Sequence, residues 1–243
     1  MAIEICAANL QSVISAVAGG ADRVELCDNL WEGGTTPSAG MIKLACSYKI
    51  GVYVLIRPRG GDFLYNDLEF KSMLEDISLA KTLGAKGIVS GLLNKNGTVD
   101  INRTIELVEH SYPLPFTFHR AFDCSADLFE SLEDIIQCGA KRILTSGGLN
   151  NVSEGLETIK KLNELAGDRI IILPGGGINS SNIQQLKKES GCTEFHLSAK
   201  KMQYSPMSFV KSNLKMNAAN IPEDGIYISD AEEIKKIVKI VKS

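Results

Sequence analysis

The chain has 243 residues, of which 44% are hydrophobic and 23% charged, and its net charge is −3. This length is close to the roughly 250 residues of one (β/α)8 barrel. No basic block is present, so we do not expect the protein to bind nucleic acid. No apolar run approaches the roughly 20 residues needed to span a bilayer, so we do not expect it to bind in a membrane either.

Eight short runs rich in β-branched residues, each bounded by turn residues, predict eight β-strands. In chain order they are Ile3 to Cys6, Arg23 to Cys27, Val52 to Arg57, Gly87 to Ser90, Phe116 to His119, Arg142 to Thr145, Arg169 to Leu173 and Glu194 to Ser198. Four glycines, Gly20, Gly84, Gly139 and Gly191, each follow a helical pattern and precede a strand. A glycine at this point is typical of a helix that ends in a left-handed residue.

Amphipathic patterns between the strands predict helices. Examples are Asp67 to Leu83, Asn102 to His110, Asp127 to Cys138, Ser153 to Leu165 and Ser181 to Ser190. Strands and helices that alternate in this way predict an α/β fold, and eight strands without G-x-G-x-x-G after the first favour a closed (β/α)8 TIM barrel over an open sheet. We expect a single barrel domain over residues 1–243, with a closing helix at about 231–241 and no clear pattern over 200–230.

The first two predicted strands end with the same pattern, Glu4-Ile5-Cys6 and Glu25-Leu26-Cys27. Alternate side chains of a strand share a face and neighbouring strands lie about 4.8 Å apart, so Cys6 and Cys27 can meet at the barrel mouth. A thiolate pair suits Cu(I) as a metal site, although unpaired cysteines often serve as small buried hydrophobic residues. The six cysteines form no C-x-x-C, and we expect reduced thiols in a cytoplasmic protein without a secretory leader.

Charged side chains at the predicted strand ends are candidates for catalysis or ligand binding. Glu4 and Glu25 are acid/base candidates, because glutamate is rarely buried without a partner. Arg57 and Arg59 can pair with these two carboxylates or clamp an anionic ligand. A purely structural network of salt bridges is an equally good interpretation.

The fifth strand ends in an imidazole, a guanidinium and a carboxylate, from His119, Arg120 and Asp123. His119 is a candidate general base, metal ligand or hydrogen-bond donor, and Arg120 and Asp123 are candidate binding residues. His196 and Ser198 form a similar pair on the eighth strand.

The loops after the sixth and seventh strands are rich in small residues. In barrels of this type the loops after strands seven and eight commonly bind phosphate through backbone N–H groups. The candidate binding residues in these loops are Thr145, Ser146, Gly175, Gly176 and Gly177. A tight turn that needs positive φ angles explains the glycines equally well.

Seven stretches of the chain resemble the CutC copper homeostasis protein family. They are residues 4–6, 19–27, 33–38, 56–65, 117–123, 144–147 and 174–178. The resemblance implies a cytosolic TIM barrel, usually oligomeric, that is linked to copper handling and binds Cu(I) through Cys6 and Cys27. It weakens beyond Ala199, where Lys200 stands in place of a frequent family arginine.

Two hypotheses follow from the residues and the resemblance together. The first is a cytoplasmic copper homeostasis protein, a homo-oligomer, in which Cys6 and Cys27 hold Cu(I). The second is a TIM-barrel enzyme that acts on a small anionic or phosphorylated metabolite by acid/base chemistry. The two are not exclusive, since copper could occupy the mouth of an active site. The sequence leaves open whether the protein catalyses a reaction.

Overall fold

Eight parallel strands alternate with helices along most of the chain. The computed structural model describes residues 1–209, 211, 214 and 223–243. The barrel strands are β1 (Ala2–Ala7), β2 (Arg23–Leu26), β3 (Gly51–Leu55), β4 (Gly87–Ser90), β5 (Phe116–Phe118), β6 (Arg142–Thr145), β7 (Ile171–Pro174) and β8 (Glu194–Leu197). Each lies within or beside a predicted run.

Eight α-helices accompany the strands. They are α1 (Leu10–Gly19), α2 (Ala39–Ala45), α3 (Asp67–Thr82), α4 (Ile101–Ser111), α5 (Leu128–Gln137), α6 (Leu156–Ala166), α7 (Ile183–Glu189) and α8 (Ala231–Lys242). Several start at an Asn or Asp whose side chain accepts hydrogen bonds from the first turn, as Asn66 does for α3 and Asp127 for α5.

The strands form a nearly closed ring, which confirms the predicted (β/α)8 barrel. Their spatial order is β7-β6-β5-β4-β3-β2-β1-β8, and each neighbouring pair is parallel. A parallel bridge between Gly175 and His196 joins the two ends of this order. The carboxyl ends of all eight strands therefore lie at one mouth of the barrel.

The four recurring glycines have the conformation that their positions predict. Gly20, Gly84, Gly139 and Gly191 have φ angles of 79°, 100°, 83° and 72°. Each follows the last residues of a helix, where a residue with a Cβ would be strained. The glycines let the chain leave α1, α3, α5 and α7 and enter the next strand within a few residues.

Two strand boundaries differ from the prediction by two residues, and several others differ by one. The third strand was expected to reach Arg57, but β3 ends at Leu55 because the Arg57 N–H bonds to Thr36 Oγ1 in a neighbouring loop. The seventh was expected to begin at Arg169, but β7 begins at Ile171 because the Arg169 N–H closes a turn onto Ala166 O. The first change comes from a contact with a residue remote in sequence, and the second comes from the turn that follows α6.

After β8 the chain leaves the barrel and forms an antiparallel hairpin of β9 (Lys200–Tyr204) and β10 (Gly225–Ser229). The segment 200–230, for which no pattern was predicted, lies partly outside the described residues. Helix α8 then returns to pack on α1, burying Ile234, Ile237 and Val241. Among the described residues, no helix combines the length and apolarity required to cross a membrane.

Candidate functional site

Two cysteine sulfurs meet at the mouth of the barrel. Cys6 on β1 lies opposite Glu25 of β2 in the parallel register, and Cys27 directly follows β2. The Cys6 and Cys27 Sγ atoms are 3.7 Å apart. Cys27 packs with Leu55 and Val89 in a small apolar cluster. The predicted meeting of the two thiols is therefore present, in a largely apolar setting.

The sulfurs line a cavity of about 110 Å³ at the mouth. Its polar walls come from five strands or the residues that follow them: Cys6, Glu25, Cys27, Arg57, His119 and His196. Phe63, Leu55 and Leu144 supply apolar walls. These three were not predicted, because an apolar residue near a strand end carries no sequence signal that separates a cavity wall from core.

Glu4 and His196 form a buried pair beneath the cavity. Glu4 lies between Arg23 and His196 in the registers of β1 with β2 and β8. His196 Nδ1 donates to Glu4 Oε1 at 2.7 Å, and Arg23 Nε donates to the other Glu4 oxygen. Burial would raise the pKa of Glu4, but the His196 hydrogen bond and the Arg23 charge lower it below its usual range. Glu4 is thus an ionised carboxylate that orients the imidazole.

Glu25 lies on the other side of the same imidazole. His196 Nε2 is 3.3 Å from Glu25 Oε2. Burial raises the pKa of Glu25 above its usual range, more than the charge of His196 lowers it. Burial would lower the pKa of His196, but Glu25 and the hydrogen bonds with Cys6 and Glu4 raise it well above normal. A carboxylate that holds a proton this readily is suited to acid/base exchange.

A charged network extends from this pair into the barrel. Arg23 Nη2 donates to Glu194 at 2.6 Å, and Arg142 Nε donates to the same carboxylate at 2.7 Å. Both guanidinium groups lie over the Tyr53 ring, with 5.2 and 5.7 Å to its centroid. Sequence reasoning missed Arg23, Arg142 and Glu194. For Arg23 and Glu194 the available signal was their alternation with Glu25 on β2 and with His196 on β8, since alternate residues share a face.

His119 faces the cavity as a neutral imidazole. The Ala121 N–H donates to His119 Nδ1 at 3.2 Å, so the proton of the neutral ring lies on Nε2. Burial, with help from the Arg57 charge, lowers the pKa of His119 to about 3. The Nε2 atom is buried and has no hydrogen-bond partner among the described residues. His119 is therefore suited to donate a hydrogen bond and poorly suited to accept a proton.

The arginines after β3 do not pair with Glu4 and Glu25 as the sequence suggested. Arg57 donates to the carbonyl oxygens of Glu32, Gly34 and Gly61 at 2.7 to 2.8 Å. Arg59 donates to Glu69 Oε1 at 2.5 Å. Glu4 instead pairs with Arg23, which lies directly beside it on β2.

Arg57 thus braces the loops around the mouth while its guanidinium lies over the Phe63 ring, 5.0 Å from the centroid. Arg59 lies partly exposed over Tyr65, at 5.1 Å. Of the two, Arg57 lines the cavity and Arg59 does not.

Asp123 organises the loop after β6. Its carboxylate accepts from the Ser146 and Gly148 N–H groups at 3.0 to 3.1 Å and from the Thr145 hydroxyl. Arg120 Nε donates to Asp123 at 2.7 Å, and Arg120 Nη2 donates to Ser146 Oγ, also at 2.7 Å. The structure brings these four predicted binding residues together, in bonds mainly to one another, with Arg120 at the cavity wall.

The glycine loop after β7 is closely packed. A Cβ on Gly176 would lie 3.3 Å from the Ser146 Cβ, and one on Gly177 would lie 3.3 Å from the Asn151 Cβ. Gly176 and Gly177 have φ angles of 107° and 84°. Gly175 continues the β7 pairing, through its N–H bond to Thr145 O. Turn geometry and packing account for the glycines, and the half-buried Ser198 directly follows β8.

The donor atoms at the mouth fit a soft metal ion. The ligand atoms of Cys6, Glu25 and His196 lie within 4.8 Å of one another, and Cys27 Sγ adjoins Cys6 Sγ. Cys27 is buried and Cys6 is partly buried, beside the apolar side chains of Leu55 and Val89. Two sulfurs and one imidazole nitrogen form a donor set for Cu(I) or Zn²⁺ rather than Mg²⁺ or Ca²⁺.

The remaining cysteines lie away from this cavity. Cys46 ends α2, Cys124 belongs to a short 3-10 helix after β5 and is exposed, and Cys138 and Cys192 are buried elsewhere. Burial raises the pKa of Cys138 and of Cys192 to about 11. These thiols serve as reference positions for experiments on the sulfur pair.

Comparison with known proteins agrees with the motifs and the fold. The model of the CutC family matches residues 1–201. The chain belongs to the CutC family. A human relative named "Copper homeostasis protein cutC homolog" is 44% identical over 243 residues, which cover 99% of this chain and 89% of the human one.

Two further CutC proteins resemble the chain closely. A CutC protein of Chromobacterium violaceum is 43% identical over 236 residues, with 97% of this chain and 96% of its own covered. The crystal structure of CutC from Streptococcus agalactiae is 40% identical, covers 82% of this chain and 99% of that one, and superposes with a TM-score of 0.77. The stretch matched to the CutC family model ends at the start of β9, so all eight barrel strands lie within it.

Proposed function

We propose that this CutC protein is a cytoplasmic copper homeostasis protein that binds Cu(I) between Cys6 and Cys27. The observation that carries the proposal is the 3.7 Å separation of the two Sγ atoms, which line one cavity at the barrel mouth. The human relative is named a copper homeostasis protein homolog, which supports copper as the metal. Soft thiolates prefer Cu(I) to hard cations, and a reducing cytoplasm keeps both thiols available.

Competition with a chromophoric Cu(I) chelator under anaerobic conditions tests the proposal. We expect the wild-type protein to withdraw one Cu(I) per chain from the chelator, and the Cys6→Ser/Cys27→Ser double variant to withdraw none. Each single variant should bind far more weakly, because one thiolate is lost.

The Cys46→Ser and Cys124→Ser variants are the matched controls, since both thiols lie away from the cavity. Their Cu(I) binding should equal that of the wild type. Copper binding that survives the Cys6→Ser/Cys27→Ser change would contradict the proposal.

Homo-oligomers are the second part of the proposal. Ile226 on β10 is 56% exposed on one face of the hairpin. On the other face, Tyr204 of β9 is 69% exposed on the same side as Tyr227, against which the 50% exposed Trp31 packs. An apolar surface of this kind is typical of contacts between protein chains. Light scattering with size-exclusion chromatography should give a mass above the 26.3 kDa of one chain. The Tyr204→Lys/Ile226→Lys variant should lower that mass, and a wild-type mass equal to one chain would contradict this part.

An acid/base enzyme acting on a small anionic metabolite is the alternative function. The unpaired Nε2–H of His119 at the cavity favours it, because a buried donor without a partner is costly unless a ligand accepts from it. Glu25, with its raised pKa, would exchange the proton. Titration with phosphate or a small carboxylate, followed by the ¹⁵N signal of His119, tests this alternative. An unchanged signal with both ligands at millimolar concentration would count against it.

A further inference from the structure

We infer that His196 is the third ligand of the Cu(I) site, so that the metal is held by two thiolates and the Nε2 atom of one imidazole. This inference rests on the proposed function, because it assumes that Cys6 and Cys27 bind the ion. It adds a nitrogen ligand and an orienting carboxylate, Glu4, that the cysteine pattern does not contain.

The spacing of the sulfurs leaves room for a further ligand. At a metal–sulfur distance of about 2.3 Å, two thiolates on opposite sides of one ion would be about 4.6 Å apart. The Sγ atoms of Cys6 and Cys27 are instead 3.7 Å apart, which corresponds to a bent arrangement with an angle near 107°. A bent pair leaves one side of the ion open to a third donor.

His196 presents the appropriate nitrogen. Its Nδ1–H donates to Glu4 Oε1 at 2.7 Å, which leaves Nε2 on the side of Glu25 Oε2, 3.3 Å away. His196 also belongs, with Cys6 and Glu25, to the group of residues whose ligand atoms lie within 4.8 Å of one another. A carboxylate that binds the distal nitrogen of a ligating histidine fixes the ring and its tautomer in many metal sites. Arg23 in turn holds Glu4, so the imidazole is oriented before any ion arrives.

The other groups at the cavity are poorer third ligands. Glu25 offers a hard oxygen, which Cu(I) disfavours beside two sulfurs. His119 would need a free lone pair on Nε2, but the Ala121 N–H already occupies its Nδ1 lone pair, so the Nε2 atom of the neutral ring carries the proton. When the ion binds, the two S–H protons and the proton on His196 Nε2 leave, and each freed lone pair forms one bond to copper.

X-ray absorption on the Cu(I)-loaded protein tests the inference. We expect the wild type to show a three-coordinate ion with two sulfur neighbours and one nitrogen neighbour. His196→Gln keeps a side chain that can hydrogen-bond to Glu4, and should give a sulfur-only site with 10- to 100-fold weaker affinity in the chelator competition. A two-coordinate, sulfur-only site in the wild type would overturn the inference while leaving the cysteine pair intact as the copper site.

NMR of ¹⁵N-histidine-labelled wild-type protein keeps the inference testable even where a variant fails to fold. The chain has three histidines, and Cu(I) is diamagnetic, so each Nε2 can be followed. On addition of Cu(I), the Nε2 signal of His196 should shift from the protonated to the metal-bound range. His110→Gln is the matched control and assigns the exposed histidine, whose Nε2 bonds to Ser78 Oγ at 2.7 Å. An unmoved His196 signal with copper bound would overturn the inference.

Glu4→Gln separates positioning from ligation. Because Glu4 acts through His196, this variant should keep the sulfur and nitrogen neighbours while its affinity falls about 10-fold. Loss of the nitrogen neighbour together with the cysteine sulfurs would indicate that the mouth has collapsed, and unchanged affinity would contradict the role of Glu4. Absence of any copper from the wild type would refute the proposed function itself, which is a different result from a sulfur-only site.

Discussion

At the scale of single residues, the two histidines of the barrel mouth differ because their hydrogen-bond partners differ. His119 accepts a backbone N–H on Nδ1, whereas His196 donates Nδ1–H to a carboxylate. The first ring is held neutral and the second is readily protonated. Sequence alone could place both histidines at strand ends but could not distinguish their tautomers. Each tautomer depends on one hydrogen-bond partner, the Ala121 N–H or the Glu4 carboxylate, and the strand pattern does not reveal that contact.

His119 should impose a pH dependence on stability. Its pKa is about 3 in the folded protein and about 6.5 when unfolded, so between these values the unfolded chain binds the extra proton. Stability from His119 is therefore complete above about pH 6.5 and is lost as the pH falls, by up to about 1.4 kcal/mol per pH unit. Urea unfolding of the wild type and of His119→Gln from pH 4 to 7 should give converging free energies at low pH. Parallel curves would refute this.

Arg23 should be a much greater source of stability than an exposed arginine. Arg23→Met leaves Glu4 and Glu194 buried with one cation fewer, which should lower the free energy of unfolding by about 3 kcal/mol. Arg169→Met, which breaks an exposed pair with Glu133, should unfold at nearly the wild-type urea concentration. Equal midpoints for both variants would show that the buried network contributes no more than a surface ion pair.

At the scale of elements, the strands and their barrel arrangement were predictable, but the register between neighbouring strands was not. β-branched runs such as those of β3 and β4 indicate buried strands. The glycines after α1, α3, α5 and α7 indicate a backbone with positive φ. Both signals are local in the sequence. The register that brings Glu4 beside both Arg23 and His196 depends on the closure of the ring. Adjacency along the chain instead suggested Arg57 and Arg59 as the partners of the glutamates.

Two glycines should respond in opposite ways to alanine. Gly20 ends α1 at a φ of 79°, with no atom nearer than 3.8 Å to an added Cβ, so Gly20→Ala should cost about 1 kcal/mol through backbone strain alone. Gly40 lies in α2, where an added Cβ would meet nothing within 4 Å, so Gly40→Ala should stabilise the protein by about 0.5 kcal/mol. Thermal unfolding followed by circular dichroism measures both, and shifts of the same sign would contradict the argument.

At the scale of the whole molecule, the first and last helices close the outer layer. Gly19 of α1 lies directly against Ile234 of α8, and Lys242 Nζ donates to Asp22 at 2.8 Å. The composition and the alternating pattern were sufficient to predict that the chain forms a barrel. The hairpin between β8 and α8 was not predicted, because β9 is largely exposed and β10 is buried only at its end, so neither shows a core pattern.

The effect of Gly19→Ala on the free energy of unfolding should depend on the side chain at position 234. In the wild type, Gly19→Ala would force a Cβ into the Ile234 side chain and should cost about 1 to 3 kcal/mol. In an Ile234→Ala background the obstruction is absent, and the same change should be neutral or stabilise the helix by up to about 1 kcal/mol. A double-mutant cycle from urea unfolding measures the coupling. Additive effects would show that α1 and α8 do not pack as described.

The ionic interior of this barrel affects its response to heat. Most (β/α)8 barrels fill this space with layers of branched aliphatic side chains, whereas here Arg23, Glu194 and Arg142 share it with Tyr53. Hydration of ions becomes less favourable on warming, so the energetic penalty for keeping these groups dry declines with temperature, while the gain per area from aliphatic packing levels off. The relative contribution of these ion pairs to the stability of the folded state therefore grows as the molecule approaches its melting temperature.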